Sequence, residues 1–313
     1  MKDLKILLFL LIITIHKNEA LYSNQNNHID HIQSNSILKK RKIENIITKI
    51  PEAEIEKIKN LFENLFNFNE LGFTLYGDKP VSFCSLTITQ SSVFSRCNNI
   101  YWYTEGILKV DKIYKKEWEI WKKYAHLFQI KNYMFLIDDC GVLLVNKKNL
   151  KKVVTKNLKL FKKILGKDFT PDGLINDIEG GKGIFNLLSC NHELFGIVLG
   201  FGRHNPRNFQ RREEILNILE PHKIPAKLQN SLSPSPEYPS IQHEMDDISR
   251  KLMINDNYYF PIMDLNRVIF VCDLNHIETK KLIKKYELQR KKIKEIYSKD
   301  DWFEQTLIQL ISD

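Results

Sequence analysis

The 313-residue chain has no His-Glu-x-x-His pattern, no Cys-x-x-Cys pair and no Gly-x-Ser-x-Gly elbow. Their absence removes the usual sequence signatures of zinc proteases, dithiol redox sites and α/β-hydrolases. Gly180-Gly181-Lys182-Gly183 lacks the spacing and the Ser or Thr of a phosphate-binding P-loop. Gly200-Phe201-Gly202-Arg203-His204-Asn205 begins like a dinucleotide fingerprint but lacks its third glycine. The sequence therefore predicts no cofactor and no metal. Cysteine is scarce. The five residues, an odd number, leave at least one free thiol in a monomer. Cys84 paired with Cys97 is one reading, and five separate small core residues is the other. Apart from the N-terminus no long apolar run occurs, and none reaches the length of a membrane-spanning helix.

What is present is an ordinary folded composition, 43% apolar and 27% charged. Collagen, a wholly disordered chain and a disulfide-dense miniprotein are excluded. The length predicts one or two domains. The 47 basic residues against 38 acidic ones give a net charge of +9. Only nine of the 47 are arginine. So lysine-rich a balance reads first as a solvated surface.

The first residues carry an address. Lys2 and Lys5 precede an apolar run, Ile6 to Ile15, broken only by Thr14 and ended by His16, Lys17, Asn18 and Glu19. That layout predicts a secretory signal peptide over 1–20. Ten residues span about 15 Å as a helix, about half a bilayer core. Ala20 and Ser23 are the candidate cleavage positions. Export to the periplasm or beyond is the expected localisation.

Residues 21–42 are expected to form a polar, disordered linker, and 43–313 a globular domain. Within that domain the spacing of Ile55, Ile58, Leu61, Phe62, Leu65 and Phe66 predicts an amphipathic helix after Pro51. Val81 to Thr89 reads as a strand, and Lys109 to Phe128 as a helix. Tyr133 to Ile137 and Val142 to Val145 flank Asp138-Asp139-Cys140-Gly141, which predicts a hairpin. One helix is expected from Lys148 to Leu165, a short one after Thr170-Pro171, and a buried one from Ile184 to Phe201. Asn205-Pro206 reads as the cap and first position of the next. The prolines at 234, 236 and 239 mark 231–240 as an exposed loop. Arg267 to Cys272 reads as a strand, Asn275 and Glu278 as a capping box, and Trp302 to Ile311 as the last helix. The sum is an α+β fold, helix-dominated, with a small antiparallel sheet.

Three clusters invite chemistry. Arg203, His204, Arg207, Arg211 and Arg212 concentrate four of the nine arginines in ten residues, at an expected helix start. Arginine forks and free helix N–H groups both suit an anion. Arg203, His204, Arg207 and Arg211 are therefore the candidate anion-binding residues, against the alternative of pairing with internal acids. Cys190, His192 and Glu193 could form an activated thiol, but a spacing of two points helical side chains apart. Between Lys147 and Lys167 lie nine lysines and no acid, opposite Leu150, Val153, Val154, Leu158, Phe161, Ile164 and Leu165. A core helix with a solvated face is the plain reading, and a membrane surface or nucleic acid the functional one.

Three stretches, Phe73 to Ser82, Gly196 to Asn205, and Glu278 to Leu282 with Tyr286, Arg290, Ile293 and Tyr297, carry a resemblance. Together they resemble an uncharacterised family of exported proteins in Chlamydia-like intracellular bacteria. The resemblance implies a bacterial, exported, host-associated protein and assigns no catalytic residue. The function expected is that of a non-enzymatic binding or interaction protein, with an anionic ligand or host-associated partner. The alternatives are a hydrolase or transferase with a dispersed site, and a basic module for membrane surfaces or nucleic acid.

Overall fold

The computed structural model describes residues 37–84, 115–138, 141–219, 238–254, 268 and 270–312. The chain divides into two compact units, Met1–Pro51 and Glu52–Asp313. In the first, residues 37–47 form a helix. Residues 37–42, assigned to the linker by their polarity, therefore belong to that helix instead. Ile43 and Ile46 give it the apolar spacing that the more polar residues before them lack. The signal segment lies outside the described residues.

The second unit is α+β and helix-dominated. Glu52–Phe62 is the amphipathic helix the spacing predicted, with Ile55, Ile58, Leu61 and Phe62 buried. It continues as a π-helical turn, Glu63–Asn67. Leu71–Leu75 is a short helix that is buried throughout.

The expected hairpin is present. Strand β1 (Val81–Cys84), β2 (Tyr133–Asp138) and β3 (Gly141–Asn146) form an antiparallel sheet in the order β1-β3-β2. The register runs Asp138↔Gly141 to Tyr133↔Asn146 on one side of β3 and Val81↔Val145 to Cys84↔Val142 on the other. As the middle strand, β3 has both edges paired, and because Val142 to Val145 are all buried while pointing alternately to opposite faces, both of its faces are covered too. The rest of the first predicted strand, the start of the Lys109 helix and the hairpin's two tip residues lie outside the described residues.

Two long helices expected from periodicity are broken. The lysine-rich helix splits into Lys147–Lys156 and Leu158–Leu165 at Asn157, whose side-chain amide donates to the Val153 carbonyl at 2.9 Å. Asparagine readily makes such local backbone bonds, and apolar spacing alone does not register the break. The stretch from Ile184 to Phe201 is Ile184–Leu187 followed by His192–Val198. Ser189 and Cys190 between them both have φ of +53°, and Asn191 starts the new helix by accepting the Leu194 N–H at 2.9 Å. Thr170 caps Pro171–Glu179 as expected, accepting from the Gly173 N–H at 3.0 Å. The predicted loop at 231–240 ends earlier, because residues from Tyr238 are already helical; 231–237 lie outside the described residues.

Apolar clusters hold the described residues of the unit together. One packs Val81, Leu143 and Val145 of the sheet against Leu150, Val154, Phe161, Leu194 and Val198. Another joins Phe73, Phe270, Cys272, Tyr286 and Ile293. A second ribbon pairs Leu252–Ile254 with Val271–Asp273, so the strand expected to end at Cys272 runs one residue further. Helices Ile277–Tyr297 and Trp302–Ile311 complete the chain.

Candidate functional site

The three stretches Phe73 to Ser82, Gly196 to Asn205 and Glu278 to Tyr297 meet in space. From the first, Lys79 sits over the Phe201 ring of the second, 5.2 Å from its centroid. From the third, the Tyr286 hydroxyl donates to the Gly200 carbonyl at 2.7 Å. Gln289 donates to Asp78 at 2.7 Å, and Lys285 pairs with the same carboxylate at 3.1 Å. The approach is so close that a Cβ on Gly200 would lie 2.6 Å from the Tyr286 hydroxyl.

Gly200 and Gly202, both at φ +80°, turn the chain from one helix into the next, which begins at His204 rather than after Asn205. The backbone N–H groups of Arg203 and His204 donate to Oε2 of Glu278, at 3.0 and 2.8 Å. An internal carboxylate thus occupies the helix start at which the sequence places an external anion. Asn205, expected as the cap, is buried. Its Oδ1 accepts from Thr279 Oγ1 at 2.9 Å and the Asp273 N–H at 3.2 Å. The expected capping box is also corrected. His276, not Asn275, caps the helix, its Nδ1 accepting from the Glu278 N–H at 3.3 Å. With the Glu278 carboxylate reaching across to the other helix, the reciprocal bond of a box is not made.

Of the four predicted anion-binding residues, His204 enters a polar cluster around His276 and Asp273, and Arg211 enters a separate one. The His204 ring stacks on His276 with centroids 3.5 Å apart and planes at 7°. Its Nε2 lies 3.5 Å from Asp273 and 3.0 Å from the Asn208 amide. Arg203 and Arg207 are exposed. Both pull the Glu193 carboxyl downward, though burial pushes it up more strongly. Arg211 is engaged internally by a two-pronged pair with Glu244, both prongs at 2.8 Å, and by Glu214 at 3.4 Å.

Lys79 is the most unusual charge. It is fully buried, donating to the Val81 carbonyl at 2.7 Å and pairing with Glu70 at 3.2 Å. Burial pushes its ammonium below the ordinary lysine value, and Glu70 opposes that shift. The thiol cluster is not assembled. His192 packs on Phe185 and Phe209, 5.4 and 5.3 Å between centroids, and burial lowers its pKa. Cys190 contacts Asn186 instead, at 3.7 Å. Cys84, Cys190 and Cys272 are free thiols, and Cys97, the other half of the expected pairing, lies outside the described residues.

A site the sequence reading missed is a cavity of about 530 Å³. Trp118, Trp121, Lys122 and Ala125 reach it from the helix Lys115–Ala125, and Tyr133 and Phe135 from β2. The spacing explains the wall: positions three, four and seven apart share a helix face, and alternate strand residues share a sheet face. The rings brace one another edge-on, Trp118 to Phe135 at 5.8 Å and Trp121 to Phe135 at 5.9 Å. The Tyr133 hydroxyl is turned to other work, donating to the Leu75 carbonyl at 3.1 Å. Lys122 and His126 add cationic or polar character. Trp118 is 3% exposed, and its indole N–H is buried without a hydrogen-bond partner among the described residues. Such an orphaned donor costs stability unless a bound acceptor satisfies it. Tryptophan spacing was visible in the sequence, but the strand that closes the cavity is joined to it only by tertiary packing.

Among the described residues no group of three or more His, Cys, Asp or Glu is placed to hold a metal ion, and no helix is long and apolar enough to cross a membrane. Neither a protein-family model, nor a curated protein, nor a solved structure matches this chain.

Proposed function

We propose that this is an exported, non-enzymatic binding protein whose ligand enters the aromatic cavity. The observation that carries the reading is the aromatic wall of Trp118, Trp121, Tyr133 and Phe135 around the cavity. The volume falls within the range of small-molecule pockets, roughly 300–1,000 Å³. Flat aromatic walls favour a flat or apolar body. Lys122 and His126 in the lining favour a polar or anionic end. The Lys122 pair with Glu119, 2.7 Å long with both side chains about half exposed, is a surface pair that a ligand can displace.

The test uses anilinonaphthalene sulfonate, a flat aromatic body with one anionic end. Saturable binding to the folded protein, weakened by Trp118→Phe and by Lys122→Glu, supports the reading. Trp118→Phe keeps an aromatic ring in the wall but shortens it, and Lys122→Glu leaves the rings intact and reverses the charge beside them. Binding that never saturates, or that both variants leave unchanged, rejects it. The basic, apolar and polar order of residues 1–20 supports export. Fusing these residues to a reporter should carry it across a bacterial inner membrane, and a reporter retained in the cytoplasm rejects that part.

A further inference from the structure

We infer that the lysine face of helices Lys147–Lys156 and Leu158–Leu165 docks peripherally on an anionic phospholipid surface. The buried side of this pair is fixed, because Leu150, Val154 and Phe161 are 0% exposed in the core. That anchoring leaves Lys148, Lys152, Lys156, Lys159, Lys162 and Lys167 exposed. Neighbouring acids neutralise only the other edge: Lys147 pairs with Glu179, and Lys151 with Asp172 at 2.7 Å. Lys163, also exposed, has only the electrostatic reach of Glu193. The six lysines named first have no ion-pair partner among the described residues. Concentrated positive charge without internal compensation is destabilising to hold together, and an external anionic surface offsets it.

The chemistry of the face favours lipid over nucleic acid. No arginine lies between Gly141 and Leu165 to fork onto base edges, and no exposed aromatic offers a stacking platform. Lysine is a point charge that suits a diffuse plane of headgroup phosphates. None of the exposed large apolar residues belongs to these two helices. Binding is therefore electrostatic, without insertion, and salt-reversible. The cavity lies on other elements, so this docking can fail or succeed independently of the ligand reading.

The test is sedimentation with phosphatidylcholine vesicles containing 30% phosphatidylglycerol, against phosphatidylcholine alone. The expected result is binding to the anionic vesicles only, released by about 0.5 M salt as the Debye length shrinks. Each lysine near an anionic leaflet strengthens partitioning roughly fivefold. Lys152→Gln, Lys156→Gln and Lys159→Gln together should weaken it roughly 100-fold. All three are solvent-exposed, so the circular dichroism melt should not move; Lys148→Glu alone provides a second, milder variant. No binding to anionic vesicles at low salt overturns the inference. So does binding that these variants leave unchanged, or tighter binding to a DNA or RNA oligonucleotide than to the vesicles.

Discussion

Glu278 caps a helix to which it does not belong. Its Oε2 accepts from the His204 N–H at 2.8 Å and the Arg203 N–H at 3.0 Å, while its own N–H is held by His276. One residue therefore ties the starts of two helices together, with Thr279 and Asn205 making a buried second bond beside it at 2.9 Å. Glu278→Ala removes a charged acceptor from two otherwise free donors and should cost about 1–2 kcal/mol, the upper range for a lost cap. Glu278→Gln keeps an acceptor and should recover part of this. Gly202→Ala should be destabilising by a second route, because its Cβ would lie 2.7 Å from the Glu278 carboxylate at a φ of +80°. Urea denaturation of the three variants checks the ranking. Unchanged midpoints in Glu278→Ala would show that water caps the helix equally well.

The same residue shows what the sequence could and could not disclose. Glu278 three residues after Asn275 is a true helix-start pattern, and a helix does start there. Spacing cannot say that the carboxylate serves another helix more than 70 residues away. Periodicity placed the hairpin, the amphipathic helix after Pro51 and the last helix correctly, since each is specified by its own side chains. It failed where the break is a backbone event, as at Ser189 and Cys190, which no proline or glycine announces. The arginine cluster was legible as a cluster, but the pairing of Arg211 with Glu244 depends on how two helices lie together. The cavity was invisible for the same reason.

Lys79 and Glu70 form a pair that should be worth more intact or wholly absent than halved. Lys79 is 0% exposed, and the Glu70 side chain is 19% exposed. Glu70→Gln leaves a buried ammonium facing an amide and should cost about 3–5 kcal/mol. Lys79→Met keeps the apolar stem, leaves the carboxylate some contact with water, and should cost less. The double variant should recover stability relative to Glu70→Gln alone. A double-mutant cycle by chemical denaturation measures this. Strict additivity would mean the two groups do not interact across their 3.2 Å separation.

His192 should make the fold acid-sensitive. Burial between Phe185 and Phe209 lowers its pKa in the folded state. The unfolded chain then binds the proton first as pH falls, so protonation favours unfolding. Its neutral form is fully compatible with the fold above the unfolded value of about 6.5, and stability declines as pH drops through it. His192→Phe should flatten the slope of stability between pH 7.5 and 5.5, and Lys or Glu substitutions on the surface should not. Denaturant midpoints at the two pH values give the answer. An equal slope in wild type and His192→Phe would assign the acid sensitivity to other groups.

At the opposite end of the pH scale, buried tyrosines should govern. Burial pushes the Tyr76 hydroxyl up to about 12, against the hydrogen bonds it shares with Thr306 and Tyr297. Tyr286 and Tyr297 are also raised, chiefly by burial. Each folded-state value lies above the unfolded value of about 10, so the unfolded chain loses its protons first. Stability therefore falls as pH rises above about 10. Lys79 works in the other direction, because its lowered value means that alkaline pH discharges a buried cation and relieves a cost. Tyr133 is raised by burial as well, and four tyrosines against one lysine predict net alkaline unfolding. Tyr76→Phe should shift the alkaline midpoint upward by removing one of the four, while lowering stability at neutral pH through the loss of the 2.7 Å bond to Thr306. A deficit that shrinks from pH 7 to about pH 10.5 separates titration from simple loss of packing. A variant that is weaker by the same amount at both values would overturn the role assigned to Tyr76.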